Sequence, residues 1–318
     1  MGAAALLLAW FLAVTLDAQT TRKRATRPRK SPRADSTHVR DSVAAARSDS
    51  LRRAVERAAL DSLRRAEELL ARHREDSLAA HRLRVVRNDA FGVGERLVFD
   101  VNYGYVTAGE AVMHVADHDF VDERKCYRVE FKVSSLPSFS LFYKVEDRYL
   151  TFIDEETLAP WRFEQHIREG SYRRDFVARF DQRKKTAVTS EGAYETPEYV
   201  HDILSAFYFA RTIDFTSFQK GSETRLHNFY KDKSHVLVVR FLGRQELEVS
   251  AGTFNTVVIE PLVQEGGLFK SEGRIVIWLT DDERKIPVRV NTKVIIGSID
   301  TELREYSGLI GPLKARIK

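Results

Sequence analysis

Residues 95–115, ERLVFDVNYGYVTAGEAVMHV, decide the fold class. Leu97, Phe99, Val101 and Tyr103 point one way, Arg96, Val98, Asp100 and Asn102 the other, and Gly104 then turns the ribbon. A period of two marks half-buried antiparallel β-structure, because successive side chains leave a pleated backbone on opposite faces. The alternation recurs over 109–116, 127–134, 145–153, 161–168 and 172–180. In the fourth of these segments Trp161, Phe163 and Ile167 alternate with Arg162, Glu164, His166 and Arg168. It resumes over 235–242, 246–250, 254–263, 274–280, 287–296 and 299–306, and the short connections predict a meander.

One helix interrupts the strands. Thr196 suits the cap, Pro197 the first helical position and Glu198 the positive end of the helix dipole. Val200, Ile203, Leu204, Phe207 and Tyr208 then give an apolar stripe broad enough that a helix over 197–212 must be buried. The expected fold is therefore mainly β: a curved antiparallel sheet, an incomplete barrel or a sandwich, with one buried helix as plug or lid. No linker rich in Pro, Gly or Ser divides it, so residues 90–308 form one domain and 309–318 a frayed basic end.

The flanks set compartment and charge. Residues 3–16 are apolar but too short to cross a bilayer as a helix, and small residues at Ala13 and Ala18 frame a processing site. This predicts a signal peptide over 1–18 and a periplasmic or otherwise exported protein, soluble or peripherally attached. Met1-Gly2 lacks the usual positive charge, and Arg22, Lys23 and Arg24 leave a short uncleaved anchor as the alternative. Residues 20–88 hold 19 Lys or Arg against nine Asp or Glu, whereas 89–318 hold 32 against 36, so the overall charge of +5 comes from the tail. Over 19–89 the composition predicts a disordered to partly helical spacer, with a coiled coil as the sharper alternative. Behind a leader, the polyanions such a tail can meet are envelope surfaces, not nucleic acid. Cys126 is the one cysteine, so no intramolecular disulfide forms. It falls in phase with Arg128 and Glu130, which predicts partial exposure.

Several segments together resemble DUF3108, an exported bacterial family of unknown function. They are Phe91-Gly92-Val93-Gly94-Glu95, the Tyr103-Gly104 and Ala108-Gly109-Glu110-Ala111 ribbon, and Asp202-Ile203-Leu204-Ser205-Ala206-Phe207-Tyr208. Ala251-Gly252-Thr253-Phe254, Gly273, Val276-Ile277-Trp278-Leu279-Thr280-Asp281-Asp282 and Arg284-Lys285-Ile286-Pro287-Val288 continue it. The resemblance implies an envelope location and an antiparallel β-fold, and it supplies no catalytic residues.

Catalytic and metal signatures are missing. His114 and His118, near Asp117, Asp119 and Asp122, read as the polar end of a strand, not a metal cluster. Asp281 and Asp282 read as turn residues, not the paired acid and base of a glycosidase. His201, Asp202 and Ser205 share only the composition of a nucleophilic set, and their expected work is to satisfy backbone groups. No cofactor is expected. The segment 136–143 places Phe139, Phe142 and Tyr143 among small polar residues in a hairpin connection, where they could line a pocket mouth, contact lipid or pack over the sheet end. With Phe207 and Tyr208 of the helix and Trp161 of the sheet they make up the candidate ligand-binding set.

Three readings follow. The first is a non-enzymatic envelope module holding an apolar or amphipathic ligand in the concave face of the sheet. The second is a packed scaffold whose basic tail contacts cell-wall or membrane polyanions, and the third an envelope hydrolase.

Overall fold

The computed structural model describes residues 64–65, 67–68, 83–230, 232–263, 274–293 and 297–318. The expected signal peptide lies outside them, as does most of the expected spacer, of which Arg64, Arg65, Glu67 and Glu68 are helical. From Leu83 onward the chain forms one compact unit.

Fourteen strands make a single antiparallel sheet. They are β1 (Arg96–Tyr103), β2 (Val106–Val121), β3 (Arg124–Ser135), β4 (Glu146–Asp154), β5 (Pro160–Glu169), β6 (Tyr172–Asp181), β7 (Thr186–Thr189) and β8 (Gly192–Glu195), then β9 (Glu223–Tyr230), β10 (Lys233–Val249), β11 (Gly252–Val263), β12 (Ile275–Thr280), β13 (Pro287–Lys293) and β14 (Ser298–Ser307). The spatial order is β8 to β1 and then β14 to β9, so two meanders join where β1 pairs with β14. β8 and β9 are the free edges, yet they meet through side chains. The rings of Tyr194 and Phe229 lie 5.8 Å apart, and Thr189 Oγ1 donates to Asp232 Oδ1 at 3.2 Å. The sheet is thus rolled into an incomplete barrel, as its alternation predicts.

Helix α1 (Pro137–Ser140) is a single turn in the β3–β4 connection, and α2 (Ile203–Ala210) runs through the rolled interior. α2 is half the predicted length. Asp202, not Thr196, caps it, accepting from the amides of Leu204 and Ser205 at 2.8 and 2.9 Å. The residues before it are diverted by a competing interaction: His201 pairs in parallel with the β9 edge, its amide donating to His227 O and its carbonyl accepting from the Phe229 amide. That covers an edge which would otherwise offer unpaired backbone groups.

The strand forecast falls short in three places. β7 and β8 have four residues each, too few for an alternation to register. β9 buries Asn228 beside Leu226 and Phe229, which blurs its apolar face. The segments 235–242 and 246–250 are one strand, β10, because a register shift beside Gly243, at φ +138°, bends it without ending it.

The core has two parts. Inward residues of most strands pack around α2. Val121, Cys126, Leu150, Phe152 and Trp161 form a smaller cluster, with Leu83 against it. Cys126 is fully buried there, against expectation, and burial pushes its thiol up to about 12. Trp161 joins this cluster because Phe152 pairs with Arg162 while Ile153 pairs with Pro160. That bulge skips Trp161 and takes it off the face that holds Phe163.

One end of the barrel is sealed by both arms of the chain. The expected domain start at 90 is seven residues late, since the Arg84 amide donates to Tyr199 Oη and the Val86 amide to Glu156 O, at 2.8 and 2.7 Å. The expected frayed end is bound down as well. The Asn255 amide donates to Ala315 O, and the Ile317 amide to Thr253 O, at 2.9 and 2.8 Å. Between the arms lies Arg211, directly after α2 and fully buried. Its Nη1 and Nη2 donate to the two carboxylate oxygens of buried Glu95 at 2.6 and 2.7 Å. Nη2 also donates to Ala90 O at 3.2 Å and to Arg284 O at 3.1 Å.

Removing one member of such a pair strands a buried charge, which costs about 3–5 kcal/mol. Arg211→Met and Glu95→Gln should each lower the unfolding free energy by about that amount in urea denaturation. Because an apolar pair of similar volume can replace buried ions, Glu95→Leu with Arg211→Met should be less damaging than the sum of the two.

Candidate functional site

The six residues singled out by sequence occupy separate places. Phe207 and Tyr208 are buried on α2. Tyr208 faces the sealed end, 4.8 Å from the Phe91 ring. Trp161 lies in the smaller cluster. Phe139 is half-buried, Phe142 exposed, and Tyr143 half-buried against the β5–β6 turn. The structure therefore brings no six-residue pocket together.

It does single out Phe207. One gap of about 50 Å³ is walled by Phe207, by Phe99, Met113 and Phe131 of β1–β3, and by Val290 and Ile299 of β13–β14. A second, of about 30 Å³, lies across α2 between Phe207 and Leu237, Ile259 and Ile277 of β10–β12. Leu, Ile, Val, Phe and Ala side chains dominate both walls. An apolar cavity of about 150 Å³ admits benzene, and a water's share of liquid volume is about 30 Å³. Each gap is thus smaller than a ligand site, and Phe207 is the residue that lines both.

A larger opening of about 510 Å³ lies at the sealed end, lined by Asp89, Asp214, Asp281, Asp282, Glu283 and Lys285 among others. Its carboxylates are committed elsewhere. Asp282 Oδ1 accepts from the Arg284 and Lys285 amides, and its Oδ2 from the Ala315 amide. Asp281 pairs with Arg244, Glu283 with Lys314, Asp89 with Arg87, and Asp214 accepts from Thr216. The turn role expected of Asp281 and Asp282 extends to anchoring the C-terminal arm. Asp202 likewise works on the backbone, its Oδ2 accepting from Thr151 Oγ1 at 2.7 Å, and burial pushes its carboxyl up to about 6. His118 lies near Glu155 and the Tyr127 ring. Among the described residues no group of three His, Cys, Asp or Glu is placed to hold a metal.

Sequence reasoning missed one titratable pair, Asp147 on β4 and Glu169 on β5. Both are buried, and Asp147 Oδ2 and Glu169 Oε1 each lack a hydrogen-bond partner, so burial and mutual repulsion favour a proton held at the pair. Asp147 Oδ1 accepts from the Arg168 amide at 2.7 Å, and Tyr143 Oη lies 3.4 Å from Glu169 Oε2. Burial raises both groups, Asp147 to about 6 and Glu169, with the Asp147 charge beside it, to about 8. Nothing in the spacing of 147 and 169 signals the pair; it arises from strand register, with Arg148 opposite His166 and Val145 bridged to Glu169.

A carboxyl raised by folding stabilises the fold most below its unfolded value, near 4.3 for Glu. That contribution is lost as pH rises through the folded values, here about 6 and about 8. The melting temperature should therefore fall across this interval, and Glu169→Gln, which keeps the neutral form at every pH, should flatten the fall. Scanning calorimetry at pH 5, 6.5 and 8.5 checks it.

The sequence matches no curated protein. Among solved structures, a β-barrel-like protein with the domain of unknown function DUF1849 from Brucella abortus is 11% identical, covering 70% of this chain and 98% of its own, with a TM-score of 0.46. A candidate lipoprotein from Parabacteroides distasonis is 10% identical over 71% of this chain and 100% of its own, with a TM-score of 0.31. A candidate exported protein with a YmcC-like fold from Bacteroides fragilis is 11% identical over the same shares, with a TM-score of 0.29. Over residues 98–304 the sequence matches the family described as a protein of unknown function, DUF3108, and the chain belongs to that family.

Proposed function

We propose that the protein is a non-enzymatic module of the cell envelope that takes one apolar chain of an amphipathic molecule into the interior beside Phe207. The observation that carries this reading is the pair of apolar gaps on the two sides of that single side chain. Native cores hold few voids larger than a water. Here two share one ring, in an interior whose lining is mainly hydrocarbon. A guest enters by turning Phe207 aside, so that the two gaps merge along α2. The leader expected over residues 1–18 and the basic residues between 20 and 88 fit an exported chain working near anionic surfaces.

The small volume of the gaps favours a second reading, a packed scaffold whose working part is the basic tail. The two differ in what survives deletion of residues 20–82: the binding module keeps its ligand, whereas the scaffold loses its localisation and binds nothing.

Native mass spectrometry of the protein extracted from envelope fractions tests the first reading. The expected result is a bound amphipathic species on the wild type, at least tenfold less of it on Phe207→Trp, and retention on Phe207→Ala. Phe207→Ala should also cost about 3–5 kcal/mol in stability, as Phe deletions in cores do. A bare wild-type protein that also fails to take up added palmitate would overturn the reading.

A further inference from the structure

The end of the barrel opposite the sealed one carries four exposed apolar side chains on two adjacent turns. Tyr105 is fully exposed and Val106 58% exposed at the β1–β2 turn; Leu141 and Phe142, beyond α1, are 84% and 88% exposed. The two tips are neighbours, because the Leu136 amide donates to Ala108 O at 2.9 Å and Gly109 stands opposite Ser135 across the β2–β3 ladder. We propose that these two tips form a lipid-contact surface which seats this end of the barrel on a phospholipid bilayer.

The alternatives to a bilayer fit the patch less well. A stable protein interface takes about 20–30 residues a side and a complementary partner surface, whereas the patch offers four side chains on two projecting turns. Insertion into the headgroup and acyl boundary needs no complementary surface, only apolar side chains that outreach the backbone. The backbone behind the tips is also held firmly enough to present them. Ser140 Oγ lies 2.7 Å from Ser135 Oγ and donates to Leu136 O at 2.9 Å. The Gly170 amide donates to Lys144 O at 2.8 Å, closing the far side of the connection. Gly170 is at φ +52°, and a Cβ there would lie 3.0 Å from the Tyr143 ring, so the β5–β6 turn is shaped to receive Tyr143 while Phe142 is left outward. The same end borders the inward faces of β1–β3, where Val101, Ala111 and Val133 continue the apolar lining towards Phe207. An acyl chain leaving a bilayer at this rim would meet a mainly apolar wall on the side of β1–β3. The proposal rests on the proposed function for that last step only; contact with the bilayer stands without it.

The test is flotation of the full-length protein with vesicles of pure phosphatidylcholine and, in parallel, of phosphatidylcholine with phosphatidylglycerol, at low salt and at 0.5 M NaCl, using wild type, Leu141→Ser with Phe142→Ser, and Phe142→Trp. Neutral vesicles and 0.5 M NaCl remove the attraction of the basic tail, which is screened within about 3–8 Å at that ionic strength. The expected result is salt-resistant flotation of the wild type, at least a tenfold loss in the double variant with unchanged thermal stability, and a blue-shifted Trp emission from Phe142→Trp on adding vesicles. Binding confined to anionic vesicles and abolished by salt would overturn the proposal in favour of the tail. Equal flotation of wild type and double variant would overturn it too, as would a wild-type dimer in sedimentation that the double variant lacks. Bilayer contact is read here without any bound ligand, so loss of flotation and loss of the co-purifying amphipath are separate outcomes.

Discussion

The buried Arg211–Glu95 pair is the constraint on which the architecture turns. A guanidinium with no exposure is tolerable only where carboxylate and carbonyl oxygens surround it. Here those oxygens come from Glu95 before β1, from Ala90 in the N-terminal arm and from Arg284 in the β12–β13 turn. The charge therefore cannot be buried until the end of α2, the entry to the first strand and a turn near the end of the chain have all converged. Apolar packing around α2 supplies the larger energy, at about 1.5–3 kcal/mol for a fully buried Phe or Leu, but it is nondirectional. The ion pair fixes where along the barrel the helix must stop.

That end is closed by the two arms of the chain. The N-terminal and C-terminal arms lie across the sealed end, and the large polar opening there is lined by carboxylates already committed to amides and cations. The other rim holds exposed apolar tips, and just inside it sits the Asp147–Glu169 pair, tied by Tyr143 to the same connection. α2 and its two gaps lie between these two ends.

Much of the fold is legible in the sequence because a pleated strand exposes its alternation in one dimension. Leu97, Phe99 and Val101, and Val129, Phe131 and Val133, all point inward as their phase predicts. What fails to show is whatever depends on pairing. Trp161 shares the parity of Phe163, and only the bulge opposite Phe152 and Ile153 turns it away. Cys126 shares the parity of Arg128, yet the second apolar cluster covers it. The helix begins late because His201 finds a strand edge, a contact between residues 27 positions apart. The candidate site was partly visible: Phe207 and the Phe139–Tyr143 connection stand out by composition. Whether the space around Phe207 is hollow or filled depends on volumes that inward and outward apolar faces do not reveal. The acidic pair is hidden for the same reason, since neither carboxylate has a recognisable neighbour until β4 and β5 are in register.

The ladder between β1 and β14 has a temporal consequence. Arg96 stands opposite Ser307, so the first strand of the sheet and the last are hydrogen-bonded neighbours. Contacts of such long range are slow to form, because a large loop must close before any of them is rewarded. During synthesis the two meanders must wait as separate half-sheets with their oily inner faces uncovered, and the final ten-residue strand is the stitch that unites them. Truncation of even a few terminal strands would leave an uncovered half-sheet, an aggregation-prone fragment instead of a smaller barrel.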